Sequence, residues 1–534
     1  MNFSTFPLAD VPMLSKTDAA YSSQAEVLRP FYQYPVSMDS FAQIISEKAK
    51  HYSETQRACL VNTLTTQYQA LNLSSKAQYQ IKQLKQAQTF TVVTAHQPNL
   101  FLGPLYFIYK IASTIHLARK LAAAYPEQHF VPMFVMNVED HDFSELNHAT
   151  VFGKKIVWEN EEKGAVGLMK TNTLQSALEQ VKVLLGESEN ATTIFATLER
   201  CYTQYSDYQQ ATQAFIHELF AEEGLLVLNM NDKALKQSFL PLLISELFEQ
   251  KTQELVQATQ EKLQGLGFKT QAYPREINLF YLADQLRERI EWQETSSKFQ
   301  VLNTEIAWTK EEMQAELQAN PERFSPNVIL RTLYQEYCLP NLAYIGGGGE
   351  LAYWLEIKAL FAHHALPFPM LIRRNSVLYL SKIIQEKLKK LSLTWQELMQ
   401  DTDKLLKEYV AKHATVNLDF EQEKVNLNQL FEGLLPLVNQ IDTSLEKTVL
   451  AEKTKQIQGF EALLGKIFKA EKQKNETSLT QIRNLQQKLF PGGGLQERID
   501  NFLPFYLIYG KDFFTLLIDT LNPLDAELIV WEEE

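Results

Sequence analysis

An alternation of short β-rich runs with longer apolar helices, beginning near residue 90, constrains this chain more than any other feature. Phe90, Val92 and Val93 make a β run. Gly103 and Pro104 open a strongly apolar helix that reaches about Ala124, because proline in the first turn forfeits no helical hydrogen bond. Phe130 to Val138 reads as the next strand. The order repeats at Leu225-Leu-Val-Leu, followed by a helix that Asn231 and Asp232 can cap. It repeats again at Leu342 to Ile345, with four glycines and a helix from Glu350 to about His364, and Phe368 to Ile372 closes the series. Such alternation predicts a parallel, doubly wound α/β sheet with right-handed crossovers.

The flanking sequence has a different character. Residues 24 to 90 carry apolar positions at helical spacing and read as helices leading into the core. Residues 149 to 170 look like small β structure, with Gly153-Lys154 as the turn. After Arg374 come long stretches rich in Lys, Glu, Gln and Leu, where Thr394-Trp-Gln-Glu397 reads as a capping box. Phe460, Leu464 and Ile467, then Ile482, Leu485 and Leu489, sit at the spacing of a coiled-coil seam that Lys474 interrupts and Pro491 stops. A last helical segment, 495 to 521, is expected to fold back on the body. The divisions are therefore an N-terminal helical segment 1–89, a core 90–376 with insertions at about 149–222 and 250–325, a helical coiled coil 377–490, and a returning segment 491–534.

A length of 534 residues exceeds what one hydrophobic core supports, in keeping with several units. The net charge of -13 argues against a nucleic-acid partner, which needs clustered Lys and Arg. Cys59, Cys201 and Cys338 match no zinc or redox spacing and are read as reduced. The first residues lack the basic and apolar regions of a signal peptide, and Gly510, Lys511 and Asp512 interrupt the apolar stretch 502 to 521. No membrane association and a cytoplasmic location are expected.

Ligands of a parallel α/β sheet bind beyond the carboxyl ends of its strands. Three polar clusters fall there. His96, Gln97 and Asn99 lead to Gly103, at a helix start that favours anions. Glu139, Asp140, His141 and Asp142 follow the second strand, with Asn147 and His148 beyond. Gly346 to Gly349 precede Glu350, where absent side chains let a ligand approach the backbone. Each cluster also has a structural reading: a satisfied buried loop, a solvated helix cap and a tight turn. The interval from His141 to His148 matches no metal-ligand spacing, and neither a P-loop nor a G-x-G-x-x-G is present. Arg331, Arg373 and Arg374 could hold a carboxylate or phosphate, although for Arg373 or Arg374 alone an ordinary ion pair is favoured.

These residues resemble the bacillithiol biosynthesis BshC family. The matching stretches are TAHQPNLFLGPLYFIYKIAS at 94–113, VMNVEDHDFSELNH at 135–148, FSPNVILRTLYQEYCLPNLAYIGGGGELAYWLEIK at 324–358 and LQERIDNFLPFYLIYG at 495–510. The resemblance implies a Rossmann-like parallel-sheet core related to nucleotidyl transferases, small connecting insertions and a long α-helical coiled-coil domain that joins two chains as a homodimer. It also implies a ligase that adds L-cysteine to glucosaminyl malate, the last step to bacillithiol. Many relatives carry Gln at the position of His96, a Pro within the glycine run and a Pro at Thr332, so His96 is not expected to be an indispensable acid or base.

On this reading Asp140, His141 and Gln97 are the catalytic candidates. His96, Asn99, Glu139, Asp142, His148, Asn327, Arg331, Gly347, Gly348, Glu350 and Tyr353 are expected to bind substrate, and Gly103, Arg498 and Tyr506 the nucleotide. Amide formation from a free carboxylate runs uphill in water, so a nucleotide, ATP or ADP, is the expected cofactor, and no metal is assigned. Two alternatives stand beside it: a metal-dependent hydrolase centred on Asp140, His141 and His148, and a non-enzymatic coiled-coil scaffold in the same pathway.

Overall fold

Five parallel strands form the central sheet, in the order Met370–Arg373, Asn341–Gly346, Thr89–His96, His129–Met136, Leu226–Asn229. They are the runs picked out by the alternation, and nearly every residue in them is buried on both faces, as a helix-covered parallel sheet requires. Side chains alternate between two cores. Val93, Val131 and Leu228 face a cluster built with Leu60 and Leu64 of helix Glu54–Gln67. Phe90, Val92 and Met370 face Phe41 and Ile44 of helix Ser40–His51 and Leu117 and Leu121 of helix Tyr106–Ala124. The chain runs outward from Thr89–His96 in one direction, then returns to its other side with Asn341–Gly346. The gap between these two strand ends is the topological switch point, where such sheets bind ligands.

The computed structural model describes residues 2–71, 73–414 and 417–534. They divide into two compact units, Asn2–Leu378 with Leu495–Trp531, and Tyr379–Gly494 with Glu532–Glu534. In the first, the later insertion folds into an antiparallel sheet in the order Ala307–Trp308, Lys298–Val301, Leu286–Gln293, Leu279–Ala283, Phe324–Pro326. The earlier insertion begins with the expected hairpin, His148–Val151 paired with Lys154–Val157.

Several elements differ from expectation. The helix from Glu350 to about His364 is two, Gly348–Trp354 and Lys358–His363. The break places Glu356, 1% exposed, where it accepts hydrogen bonds from the Gln260 side chain and the Gln271 and Ala272 amides. Residues 495–521 are likewise not one helix. They comprise a short turn at Gln496–Arg498 and helices Leu503–Tyr509 and Asp512–Thr520, separated at Gly510. Strands Asn2–Pro7 and Glu527–Glu532 carry no strong alternation and were not anticipated.

The second unit is helical. Glu421–Ile441 and Leu445–Lys474 form a hairpin, tied by Lys453 and Glu432 at 2.9 Å, and no side chain of Glu421–Ile441 is buried. The anticipated seam is divided between two surfaces. Phe460, Leu464 and Ile467 are half-buried on the hairpin, whereas Leu479, Ile482, Leu485 and Leu489 are buried on helix Glu476–Leu489 against helix Thr402–His413. The capping box at Thr394 and Glu397 is present but opens only the turn Glu397–Met399. The following helix starts at Thr402, capped by Asp401. Among the described residues no helix is long and apolar enough to cross a membrane.

Candidate active site

A cavity of about 300 Å³ opens at the switch point. One wall is acidic and follows strand His129–Met136. Glu139 accepts a hydrogen bond at 2.6 Å from Lys236, whose side chain is fully buried and also donates to the Phe324 carbonyl. Asp140 accepts from the Gln97 side chain at 3.1 Å and from the His141 amide at 2.8 Å, and Arg287 lies 3.8 Å away. Burial alone would raise the Asp140 carboxyl. The hydrogen bond from His141, the Arg287 guanidinium and Gln97 instead hold it well below the usual carboxylate range. Arg287 donates to His141 Nδ1 at 2.7 Å and lies over the Phe280 ring, so it is fixed in place.

The opposite wall is built from the glycine loop and basic residues. Glu350 accepts from the Gly347 amide at 2.8 Å, the Tyr344 hydroxyl at 2.7 Å and Lys110 at 2.6 Å. Arg331, on helix Val328–Cys338, donates to the Tyr353 hydroxyl at 2.7 Å and makes no ion pair among the described residues. Arg374 is paired with buried Glu497 at 2.8 Å, its guanidinium over the Tyr106 ring, and its Nε, beside Gly347, is buried with no acceptor among the described residues. Arg498 reaches the rim from the returning segment. His96 lies between the walls. Burial, reinforced by Lys110, pushes its imidazole down to about 4, so it is neutral near pH 7.

The structure brings Gln97, His96, Glu139, Asp140, Asn327, Arg331, Gly347, Gly348, Glu350, Tyr353 and Arg498 to this cavity. Asn327 contributes only its surface, since its side chain caps helix Val328–Cys338 and bonds Asn278. Six other candidates lie outside the lining. His141 stands behind it, half-exposed, against Arg287. Asp142 caps the helical turn Phe143–Leu146, which consumes its carboxylate. His148 begins the hairpin and contacts Asn147. Asn99 fills the space beside Gly103, where a β-carbon would lie 2.7 Å from that of Asn99. Gly103 itself, at φ 53°, completes a tight turn whose carbonyl accepts from buried Asn501. Tyr506 is buried beside Phe514. Among the described residues no group of three His, Cys, Asp or Glu gathers as a metal-ligand set, so Asp140, His141 and His148 do not form the centre that the hydrolase alternative needs.

Sequence reasoning missed Lys110, Lys236, Arg287 and Tyr106. Lys110 did leave a signal, a single lysine within the apolar run Leu105 to Ala118. Arg287 left none, because it sits in a strand of alternating charge far along the chain. Both adjacent arginines make the expected ion pair, Arg373 with Asp18 and Arg374 with Glu497, each at 2.8 Å, and Arg374 also lines the cavity.

A Rossmann-like sheet with a charged cleft at its switch point, joined to a helical coiled-coil unit, defines the class of protein. Residues 1–375 match the N-terminal Rossmann-like domain of bacillithiol biosynthesis BshC, and residues 377–533 match its C-terminal coiled-coil domain. The chain belongs to this family. Relatives described as "Putative cysteine ligase BshC" include one from Christiangramia forsetii, 41% identical over 95% of this chain and 94% of its own length. One from Flavobacterium johnsoniae is 40% identical over 96% of each, and one from Staphylococcus carnosus 27% identical over 92% of each.

Proposed function

We propose that this protein is a ligase that joins L-cysteine to glucosaminyl malate, forming the amide bond that completes bacillithiol. The observation that carries the reading is the division of charge across one cavity. Glu139 and Asp140 stand on one wall, with Lys236 and Arg287 beside them, and Arg331, Arg374 and Arg498 on the other, where the Glu350 carboxylate is taken up by Lys110. The acceptor substrate has the same division, an amine on the sugar and carboxylates on the malyl group. Glu139 keeps one oxygen free of its Lys236 bond to receive the amine, and Asp140, held ionised, orients it. Arg331, which makes no ion pair among the described residues, receives a malyl carboxylate through its guanidinium fork.

ATP supplies the activation that an uphill amide bond requires. Arg498 offers positive charge and Arg374, through its Nε–H, a donor for its phosphates, and of the three residues first expected to hold the nucleotide only Arg498 reaches this cavity. The thiol belongs to the substrate, in keeping with buried Cys201 and Cys338, whose thiols burial pushes up and makes unreactive.

We further infer that two copies associate through the helical hairpin. Leu430, Leu437 and Ile441 are 60%, 56% and 79% exposed along it, a stripe that suits a second apolar helix face. Purified protein given glucosaminyl malate, cysteine and ATP should yield a new thiol with matching nucleotide turnover. ATP hydrolysis without that thiol would overturn the reading.

A further inference from the structure

Lys110 occupies the buried face of helix Tyr106–Ala124, its side chain 1% exposed among Phe107, Ile111 and the ends of the central strands. A lysine so placed must be paired or neutral, since an isolated ammonium there is far too costly. It is paired twice. Its Nζ donates at 2.5 Å to the Ala95 carbonyl, at the end of Thr89–His96, and at 2.6 Å to Glu350, beyond the end of Asn341–Gly346. Glu350 in turn takes the Gly347 amide and the Tyr344 hydroxyl. One ammonium therefore ties together the two strand ends that bound the switch point.

We propose that Lys110 is a positioning residue, fixing Glu350 as an anion and so holding the Gly346–Gly349 loop in the form that receives substrate. Burial would raise the Glu350 carboxyl; Lys110, the strongest opposing influence, with His96 and the Gly347 amide, brings it to about 2. Lys110 is itself lowered to about 8 by burial, with Arg374 and Arg331 adding repulsion against the attraction of Glu350. His96, Tyr106, Tyr344 and Tyr353 complete the titratable groups around the pair. The sign follows directly: as pH rises past about 8 the ammonium is lost, and with it the tie across the switch point. Only the turnover measurement below rests on the ligase reading.

The test uses the full chain labelled with [13Cε]lysine. The resonance that disappears in Lys110→Met belongs to Lys110. It should titrate near 8 in the unaltered protein and at lower pH in Glu350→Gln, which lacks the counter-anion. In turnover, kcat/KM of the unaltered protein should fall above about 8, and Lys110→Met should lose about 100-fold together with that alkaline limb. The double variant Lys110→Met with Glu350→Gln separates positioning from mere charge balance. It removes the buried unpaired carboxylate and so should fold, yet positioning predicts that turnover stays low. Recovery of turnover in the double variant, or an unchanged lysine titration in Glu350→Gln, would overturn the proposal. Absence of ligation by the unaltered protein would instead count against the ligase reading, and the lysine titration would still decide whether Lys110 is coupled to Glu350.

Discussion

Asp18 lies directly against Gly348, so that a β-carbon at residue 348 would fall 2.0 Å from its carboxylate. The same carboxylate pairs with Arg373 at 2.8 Å, next to the arginine that faces the cavity. The glycine loop, the N-terminal helix Lys16–Ser22 and the end of strand Met370–Arg373 are thereby packed at one point. Gly348→Ala should push Asp18 off Arg373, costing about 2 kcal/mol of stability by overpacking and abolishing substrate binding. Gly349→Ala, whose added methyl meets no protein atom, should leave stability within error. Thermal melts and calorimetric titration with glucosaminyl malate compare the two.

Arg331→Lys keeps the charge but replaces the planar fork with a point charge. The KM for glucosaminyl malate should rise about tenfold while kcat changes little, the pattern of a lost ground-state contact. Steady-state kinetics at saturating cysteine and ATP measure this, and an unchanged KM would remove Arg331 from the malyl subsite.

Asp140→Asn should lower kcat by about 100-fold or more, because the amine then faces an amide in place of a held anion. Its stability cost should be about 1 to 2 kcal/mol, since Arg287, 8% exposed, loses its carboxylate neighbour. His141→Ala should cost less than about 1 kcal/mol, as its side chain is 48% exposed. Denaturant melts beside rate measurements separate the two effects.

The hairpin offers a different test. Leu430→Glu with Leu437→Glu places charge on side chains that are more than half exposed within their own unit. Light scattering at micromolar concentration should show dimers before the change and monomers after it. These positions serve better than Leu464 and Ile467, whose half-buried side chains also hold the hairpin together.

The sheet was legible because its strands are buried on both faces and rich in apolar residues, His129–Met136 being the clearest. Strand ends were legible for the same reason, which is why Gln97, Glu139, Asp140 and Gly347 were found together. What periodicity does not encode is which polar side chain is consumed by its own backbone. Asp142 and Asn327 resemble ligands in sequence but cap helices in the fold. Partners that arrive from distant segments were equally hidden. Arg287 comes from the antiparallel insertion and Glu497 from the returning segment, and only the folded chain brings them beside Asp140 and Arg374. The seam was only partly legible, for a third reason. Heptad spacing marks an apolar stripe but not its partner, and helix Glu476–Leu489 spends its stripe within its own unit.

The central claim is amide formation by activation of the cysteine carboxylate, and isotope transfer tests it most directly. Purified protein is incubated with ATP, glucosaminyl malate and cysteine carrying 18O in both carboxylate oxygens, and the products are weighed by mass spectrometry. When the cysteine carboxylate attacks the α- or γ-phosphorus of ATP, expelling pyrophosphate or ADP, and the sugar amine then displaces AMP or inorganic phosphate from the acyl carbon with loss of a proton, one labelled oxygen stays in the amide and the other leaves on that AMP or phosphate. The account predicts bacillithiol with a single 18O in its new amide and one 18O in the released phosphate species. Bacillithiol formed with unlabelled phosphate products, or ATP consumed with no amide formed, would contradict it.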